Sequence, residues 1–322
     1  MKAAVLHQFG QAPKFEDFPD PVPGEGEVIV HVKAVALENV DKAMASGSHY
    51  AARQFLPNLP AIVGFDGIGT LDDGRLIGFG GIRPPYGAMA ERAVIKDGYF
   101  VPIPEGVDAV TAAALPSSTL TALFPLKWGV QLQPGETVLI NGATGFAGML
   151  AVQVAKRIGA GRVVGTGRDE ASLRALADLG ADAVIDLKQP DEAVINAFTK
   201  TAGESAYHAI LDFLWGRPTE LLIKALVPRE LAFPKHPIRL VQIGEAAGAS
   251  IALSADALRT SGLEIRGASG ITPQAIAEGT AQVWDWLKAG TLRADVEVVP
   301  LSEIERAWQR RDLHGKRLVI AP

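Results

Sequence analysis

The stretch that decides the fold is TVLINGATGFAG, residues 137–148. A strand-like run ending at Ile140 leads into three glycines spaced three apart, and a helix-like segment follows. A strand, a glycine-rich turn and a helix form the first half of a βαβ unit, although the spacing is GxxGxxG rather than GxGxxG. The helix N-terminus offers unpaired N–H groups and a partial positive charge, which favour a phosphate.

We therefore predict that this turn holds the diphosphate of a dinucleotide. Gly142 allows the tight turn, Gly145 lets the diphosphate approach the backbone, and Gly148 lets the helix pack closely on the strand. A glycine-rich connection without a ligand is the alternative. The residues assigned to cofactor binding here are Gly142, Ala143, Thr144, Gly145, Phe146, Ala147 and Gly148.

Two regions of different character flank residue 115. After it, apolar strand-like runs alternate with helical segments, which is typical of a doubly wound parallel sheet. Before it, short alternating runs such as EVIVHVKAVAL (27–37), and a tight turn at Asp73-Gly74, indicate an all-β, barrel-like region. We predict an α/β fold, with a Rossmann domain at 118–267 and a second domain formed by 1–117 and 268–322.

Composition excludes several classes of function. The chain has 322 residues, a net charge of −5 and no cysteine, so disulfides, thiolate catalysis and cysteine-ligated zinc are excluded. No basic block suggests a nucleic-acid partner. Residues 1–21 lack the features of a signal peptide, and no stretch reaches the roughly 20 apolar residues of a membrane span. We expect a cytoplasmic enzyme.

The second strand, RVVGTGRDE (162–170), bears on the choice of dinucleotide. NAD sites usually have an acid at the end of this strand, whereas here it ends at Thr166-Gly167-Arg168. Arg168 is suited to a 2′-phosphate, so Gly167 and Arg168 are assigned to the cofactor and NADPH is preferred over NADH. Arg168 as a solvated side chain is the alternative. Asp169 is either a helix N-cap or a ribose ligand.

Motifs along nearly the whole chain resemble one family. They include DPVPGEGEVIVHVKAVALENVD (20–41), LPAIVGFDGIGTL (59–71), AAALPSSTLTAL (112–123) and LQPGETVLINGATGFAG (132–148). The sequence is similar to the zinc-free quinone oxidoreductase (zeta-crystallin-like) branch of the medium-chain dehydrogenase/reductase superfamily. This resemblance implies a GroES-like β-barrel catalytic domain beside the Rossmann domain. It also implies a homodimer in which the strand LEIRGA (263–268) pairs across a two-fold axis.

The resemblance also implies candidate active-site residues. Asn39 would contact a cofactor hydroxyl or the substrate oxygen, Tyr50 would donate a proton or stack on the acceptor, and Thr121 would face the nicotinamide. Each has a structural alternative: a turn-capping amide, a surface tyrosine, and a mid-helix threonine bonded to its own backbone. Asp41 is interpreted as a helix N-cap.

Further cofactor contacts are expected where late strands end. Ile243 and Gly244 end the strand LVQIG, and residues 267–270 follow the last strand. Lys316 and Arg317 are long enough to reach a phosphate, although such side chains are more often solvated.

Zinc-dependent relatives of this fold place a cysteine early in the barrel and Gly-His-Glu in the strand after it. This chain has Asn39-Val40-Asp41 and Gly64-Phe65-Asp66 there, and none of its six histidines is spaced for joint ligation. We expect no metal, and NADPH-dependent reduction of quinones or α,β-unsaturated carbonyls. The alternatives are an enoyl-thioester reductase and an NADPH-binding structural or regulatory protein with little turnover.

Overall fold

A computed structural model describes residues 1–203, 206–228, 234–268 and 271–322. In chain order the strands are β1 (Lys2–Leu6), β2 (Lys14–Asp17), β3 (Glu27–Leu37), β4 (Ala61–Ile62), β5 (Gly67–Thr70), β6 (Leu76–Phe79), β7 (Arg92–Lys96), β8 (Phe100–Pro102), β9 (Thr137–Asn141), β10 (Arg162–Gly167), β11 (Ala183–Asp186), β12 (Ala209–Asp212), β13 (Ile238–Gln242), β14 (Leu263–Gly267), β15 (Val296–Pro300) and β16 (Arg317–Ala321).

The helices are α1 (Asn39–Ser46), α2 (Ala52–Phe55), α3 (Ala109–Ala114), α4 (Pro116–Phe124), α5 (Phe146–Arg157), α6 (Glu170–Ala175), α7 (Asp191–Ala202), α8 (Gly216–Leu226), α9 (Ala255–Thr260), α10 (Pro273–Lys288) and α11 (Ile304–Gln309). A π-helical turn, Pro125–Gly129, follows α4, and a 3-10 turn, Leu301–Glu303, precedes α11.

The chain divides into two compact units, described separately below. Residues Met1–Ser117 with Asp295–Pro322 form the β unit, and Ser118–Ala294 form the α/β unit. The predicted boundary lies between 267 and 268, whereas the compact α/β unit also includes α10. Packing explains the difference, because Val283 of α10 lies in the main core of the α/β unit and Lys127 donates to Gln282 at 2.8 Å.

The α/β unit contains a parallel sheet in the order β11-β10-β9-β12-β13-β14. Counted from β9, this is the order 3-2-1-4-5-6 of a dinucleotide-binding fold, and the strand order reverses between β9 and β12. Val138 and Ile140 face a core shared with α5 and α10, whereas Leu139 faces one shared with α7 and α8. Because both faces are covered, the buried strands are continuously apolar, and the predicted doubly wound sheet is confirmed.

The β unit is organised around β3, the predicted strand at 27–37. This strand pairs antiparallel with β5, β7 and β16, while β1 pairs with β2 and β4 in a smaller sheet. The predicted hairpin is confirmed, since β5 and β6 pair antiparallel around Gly74, which has φ +86° and donates to Leu71 O at 2.9 Å. A mixed sheet, in which β15 and β16 pair parallel, and a smaller antiparallel sheet thus accompany the parallel one.

Residues 109–129 form the predicted helix, proline break and helix. By length and composition, Ala109–Gly129 is a helical stretch able to cross a membrane, which corrects the sequence-based statement that no stretch is long enough. Half of its most apolar window is buried inside the protein. This burial is what a core helix of a folded domain shows, because its apolar side chains pack against other elements.

Candidate functional site

The glycine turn lies at the carboxyl end of β9, where the strand order reverses. Gly142 has φ +97°, and α5 begins at Phe146 with Gly145 as its N-cap. A Cβ added to Gly148 would lie 2.2 Å from Gly142 O, so only glycine fits there. A Cβ on Gly145 would meet only Gly142 O, at 3.8 Å, which leaves open space at the helix N-terminus.

This geometry suits a phosphate. Gly145 has no side chain to accept from the first-turn N–H groups of α5, and the macrodipole places partial positive charge there. A ligand oxygen is the type of acceptor that helix N-termini bind. The roles predicted for Gly142 and Gly148 agree with their conformations, and the contacts of Ala143, Thr144, Phe146 and Ala147 with a cofactor stay predictions.

A buried polar network lies beneath the turn, and the sequence reasoning missed it. Asn141 donates to Asp212 Oδ1 at 3.0 Å, Thr166 Oγ1 donates to Asn141 Oδ1 at 2.8 Å, and Gly142 N donates to Thr166 Oγ1 at 2.9 Å. Thr219 completes it by donating to Asp212 Oδ2 at 2.5 Å. All four side chains have no exposed surface, so the network ties the turn to β10 and β12.

Asp212 also holds the loop that follows β12. Its Oδ1 accepts from Leu214 N at 3.0 Å and from Trp215 N at 3.1 Å. Trp215 has φ +55°, a strained conformation for a bulky residue, and Gly216 follows with φ +58°. Polar residues at or next to the ends of three apolar strands, Asn141, Thr166 and Asp212, were the sequence signal for this network.

The structure at the end of β10 bears on the alternatives that the sequence left open for Asp169 and Arg168. Asp169 is the N-cap of α6, because its Oδ1 accepts from Ser172 N at 2.8 Å and from Ser172 Oγ at 2.6 Å. Arg168 is exposed and has no hydrogen bond or ion pair within the described ranges. Gly167 is closely packed, since a Cβ there would lie 2.2 Å from Thr144 Cγ2.

Ile243 and Gly244 are joined to the same sheet edge. Their backbone N–H groups donate to Asp212 O at 2.8 and 3.1 Å, and a Cβ on Gly244 would lie 2.7 Å from Phe213 O. The glycine turn, Gly167 and the end of β13 thus lie at the same carboxyl edge of the parallel sheet. Gly267 ends β14, while residues 269–270 of the last predicted contact lie outside the described residues.

The candidate catalytic residues lie in different surroundings. Asn39 is the first residue of α1 and is exposed. Tyr50 is 96% exposed and stacks on His49, with ring centroids 4.2 Å apart. Thr121 is half-buried inside α4. Their proposed contacts with cofactor or substrate stay predictions.

Lys316 and Arg317 differ sharply. Lys316 is exposed, as the solvated alternative describes, and its role stays a prediction. Arg317 is largely buried, pairs with Glu38 at 3.2 Å and donates to Leu37 O at 3.1 Å. Arg317 is therefore engaged within the β unit rather than solvated.

Arg317 belongs to a cluster of charges that the sequence reasoning also missed. Glu38, Asp41 and Asp66 surround this one guanidinium. Burial raises the pKa of Asp41 well above its usual range, and the nearby carboxylates Asp66 and Glu38 reinforce the shift. The protein atoms around Asp66 desolvate its carboxyl, and with repulsion from Glu38 this raises the pKa of Asp66 to about 7, although by surface area the residue is exposed.

Asp41 is the third residue of α1, and its Oδ2 accepts from Glu38 N at 2.8 Å. The N-cap is Glu38, so the interpretation of Asp41 as the cap itself was wrong by three residues. Within the part of the chain that the structure describes, no group of three or more His, Cys, Asp or Glu side chains is arranged to hold a metal ion.

Comparison with known proteins places these features in a family. A family model described as zinc-binding dehydrogenase matches residues 147–285, all within the α/β unit. A quinone oxidoreductase of Pseudomonas aeruginosa is 25% identical over 310 residues, which cover 91% of this chain and 90% of that protein. An acryloyl-coenzyme A reductase of Sulfurisphaera tokodaii is 27% identical over 253 residues, 67% of this chain and 74% of that protein.

The crystal structure of the quinone oxidoreductase from Thermus thermophilus, also determined in complex with NADPH, is similar over the full length of both chains. Its TM-score is 0.80 and its sequence identity 31%. The strand order, the glycine turn and this full-length similarity all indicate the same family. The chain belongs to the medium-chain dehydrogenase/reductase superfamily and is an oxidoreductase of its quinone oxidoreductase branch.

Proposed function

We propose that this chain is an NADPH-dependent, zinc-independent reductase of quinones or α,β-unsaturated carbonyl compounds. The observation that carries the proposal is the open space at Gly145, at the start of a helix whose glycine N-cap supplies no acceptor. A dinucleotide diphosphate fits that space, and the similar Thermus thermophilus protein has been crystallised with NADPH. When bound, the cofactor supplies a hydride.

The residues of this chain then have distinct tasks. The N–H groups at the start of α5 bind the diphosphate, and the network around Asp212 keeps the turn in shape for it. Arg168, exposed and unpaired within the described ranges, binds the 2′-phosphate. Asn39, Tyr50 and Thr121 remain the candidates for orienting the acceptor, whose conjugation spreads the developing charge without a Lewis acid.

Arg168→Ala tests the choice of cofactor. We expect the Kd of NADPH to rise about tenfold or more, since a charge-assisted hydrogen bond is worth about 1.5–3 kcal/mol, while the Kd of NADH stays nearly constant. Fluorescence titration without any acceptor measures both constants. Arg174→Ala, an exposed arginine paired with Glu170, is the matched control. Equal weakening of both cofactors would mean that Arg168 does not recognise the 2′-phosphate.

An acceptor panel tests the reaction. We expect NADPH oxidation with 9,10-phenanthrenequinone, 1,4-benzoquinone or a 2-alkenal, and unchanged rates after chelator treatment. Inactivation that zinc reverses would overturn the metal-free proposal. Faster oxidation with a 2-enoyl thioester would favour the second candidate, which the acryloyl-coenzyme A reductase relative supports. Tight NADPH binding with no oxidation would indicate a binding protein.

We also propose a cytoplasmic homodimer. β14 is an edge strand of the parallel sheet, and an exposed edge is commonly covered by pairing with another strand. Light scattering that gives the mass of a monomer would contradict this arrangement.

A further inference from the structure

Two stacked histidine rings lie at the amino edge of the parallel sheet, where β9, β12 and β13 begin. The imidazoles of His208 and His236 have ring centroids 4.0 Å apart, and their planes are 9° from parallel. His208 immediately precedes β12, and His236 lies two residues before β13. The glycine turn follows β9 at the opposite, carboxyl edge, so this pair is separate from the candidate cofactor site.

The ring of His208 completes the hydrogen bonding of β9. Its Nδ1 accepts from the backbone N–H of Thr137, the first residue of that strand, at 3.2 Å. Thr137 is only 8% exposed, so losing this acceptor would leave a buried N–H group unsatisfied, at a cost in free energy. Nδ1 can accept only while it carries no proton. The hydrogen bond therefore requires a neutral imidazole with its hydrogen on Nε2.

The second ring belongs to the short segment 234–237 that leads into β13. His236 Nδ1 donates to Pro237 O at 3.1 Å, because a carbonyl oxygen can only accept. Pro234 packs near the turn before β14, since a Cβ added to Gly262 would lie 2.8 Å from Pro234 Cβ. The stacking of His236 on His208 thus joins this segment to the start of β12 and, through the bond from Thr137, to β9.

The charged groups around His208 affect its protonation. Among the described residues they are His236, Glu136 and Arg239. Burial lowers the pKa of His208, repulsion from His236 and Arg239 lowers it further, and Glu136 acts in the opposite direction. Glu136 is already engaged, because its Oε2 accepts from Arg239 Nη2 at 2.6 Å and from Gln133 N at 2.9 Å. A pKa below the ordinary 6.5 leaves the ring neutral at pH 7.

We propose that the His208–His236 pair is an acid-sensitive switch at the amino edge of the parallel sheet. With both rings neutral, the stack holds residues 234–237 on the sheet, and His208 satisfies the first N–H of β9. A proton on His208 makes Nδ1 a donor that faces the N–H of Thr137, so this hydrogen bond breaks. The new charge also lies against His236 and near Arg239. Acid therefore opens this edge locally.

The sign of the pH dependence follows from proton binding. In the opened form His208 titrates near 6.5, as an ordinary histidine does, whereas in the closed form its pKa is lower. Below pH 6.5 the opened form therefore holds more protons, and the closed form loses stability as the pH falls. At pH 5.5 this favours opening by at most about tenfold, the limit set by a histidine that titrates only when opened.

Hydrogen exchange of the full chain, followed by mass spectrometry, tests the proposal. Rates at pH 7.5 and pH 5.5 are each corrected for the intrinsic pH dependence of exchange. Peptides covering 134–141 and 234–242 should lose protection about threefold to tenfold at pH 5.5. Peptides from β3, in the other unit, should keep theirs. Equal corrected protection of 134–141 at both pH values would overturn the proposal.

Three variants identify the group responsible. In His208→Asn the amide oxygen replaces Nδ1 as an acceptor that does not titrate, so protection of 134–141 should no longer depend on pH. His236→Phe keeps a flat ring without charge, so the transition should move to higher pH. His49→Asn is the matched control, because His49 Nδ1 also accepts from a backbone N–H, that of Ala51 at 3.2 Å, but stacks on Tyr50. It should behave as the wild type does.

A His208→Asn variant with the wild-type pH dependence would contradict the switch. If that variant does not fold, His236→Phe decides, since a transition that stays in place or moves to lower pH contradicts the role of the stacked ring. These measurements use neither cofactor nor acceptor, so their outcome is independent of the proposed reductase activity.

Discussion

Two buried aspartates in this protein have opposite surroundings. Asp212, in the α/β unit, accepts four hydrogen bonds and connects the glycine turn to the loop after β12. Asp41, in the β unit, accepts one and lies near two further acids. A carboxylate whose lone pairs are filled by protein donors positions its neighbours, whereas one placed among other acids is governed by charge repulsion.

Of the substitutions that test this comparison, Asp212→Ala should have the largest effect, which is on stability. Four donors would lose their acceptor in a fully buried site, so we expect the free energy of unfolding to fall by about 3 kcal/mol or more. Denaturant unfolding measures the loss. Asp178→Ala, an exposed aspartate in the same unit, should change stability by less than about 0.5 kcal/mol. Similar small effects for both variants would show that the network does not hold the turn.

Gly145→Ala tests whether the site above this network receives a phosphate. Gly145 has φ −81° and ψ 163°, which alanine also adopts, so the variant should fold with a loss of about 1 kcal/mol. Its methyl group would occupy the open space, and the Kd of NADPH should rise about tenfold. Gly129→Ala, where a Cβ would make only ordinary contacts at 3.7 and 3.8 Å, is the control. Unchanged NADPH affinity in Gly145→Ala would exclude a diphosphate at this helix end.

Asp66→Asn gives the smallest expected effect and tests the acid cluster. The folded pKa of Asp66, about 7, lies above its usual value of 3.8. Between these values the folded state holds a proton that the unfolded chain has released, so wild-type stability falls as pH rises through this range. The variant is neutral throughout, and its Tm advantage should grow from pH 4 to pH 7 and then level off. A constant Tm difference would show that Asp66 titrates normally.

The sequence predicted those features that depend on neighbouring residues. The alternation in β3, the Asp73-Gly74 hairpin and the need for glycine at position 148 follow from local conformation and periodicity, and the structure agrees with each. The segments of the parallel sheet were recognised for the same reason, because apolar runs separated by helical patterns have few other arrangements.

Features that depend on distant residues were missed or left open. The helix α10 was predicted to belong with residues 268–322, and its apolar stripe does not reveal that Val283 packs in the core of the α/β unit. Whether Asp169 capped a helix depended on where β10 ended, and that was decided by pairing with β9 and β11.

By itself the sequence determined the glycine turn and the doubly wound sheet, since local periodicity and glycine spacing specify them. Its motifs also indicated, by resemblance, the family to which the chain belongs. Only the tertiary structure decided the partners of Asp212, Asp41 and Arg317. These groups lie on segments far apart in the chain, and the charge or hydrogen bond that each can offer depends on what folding places around it.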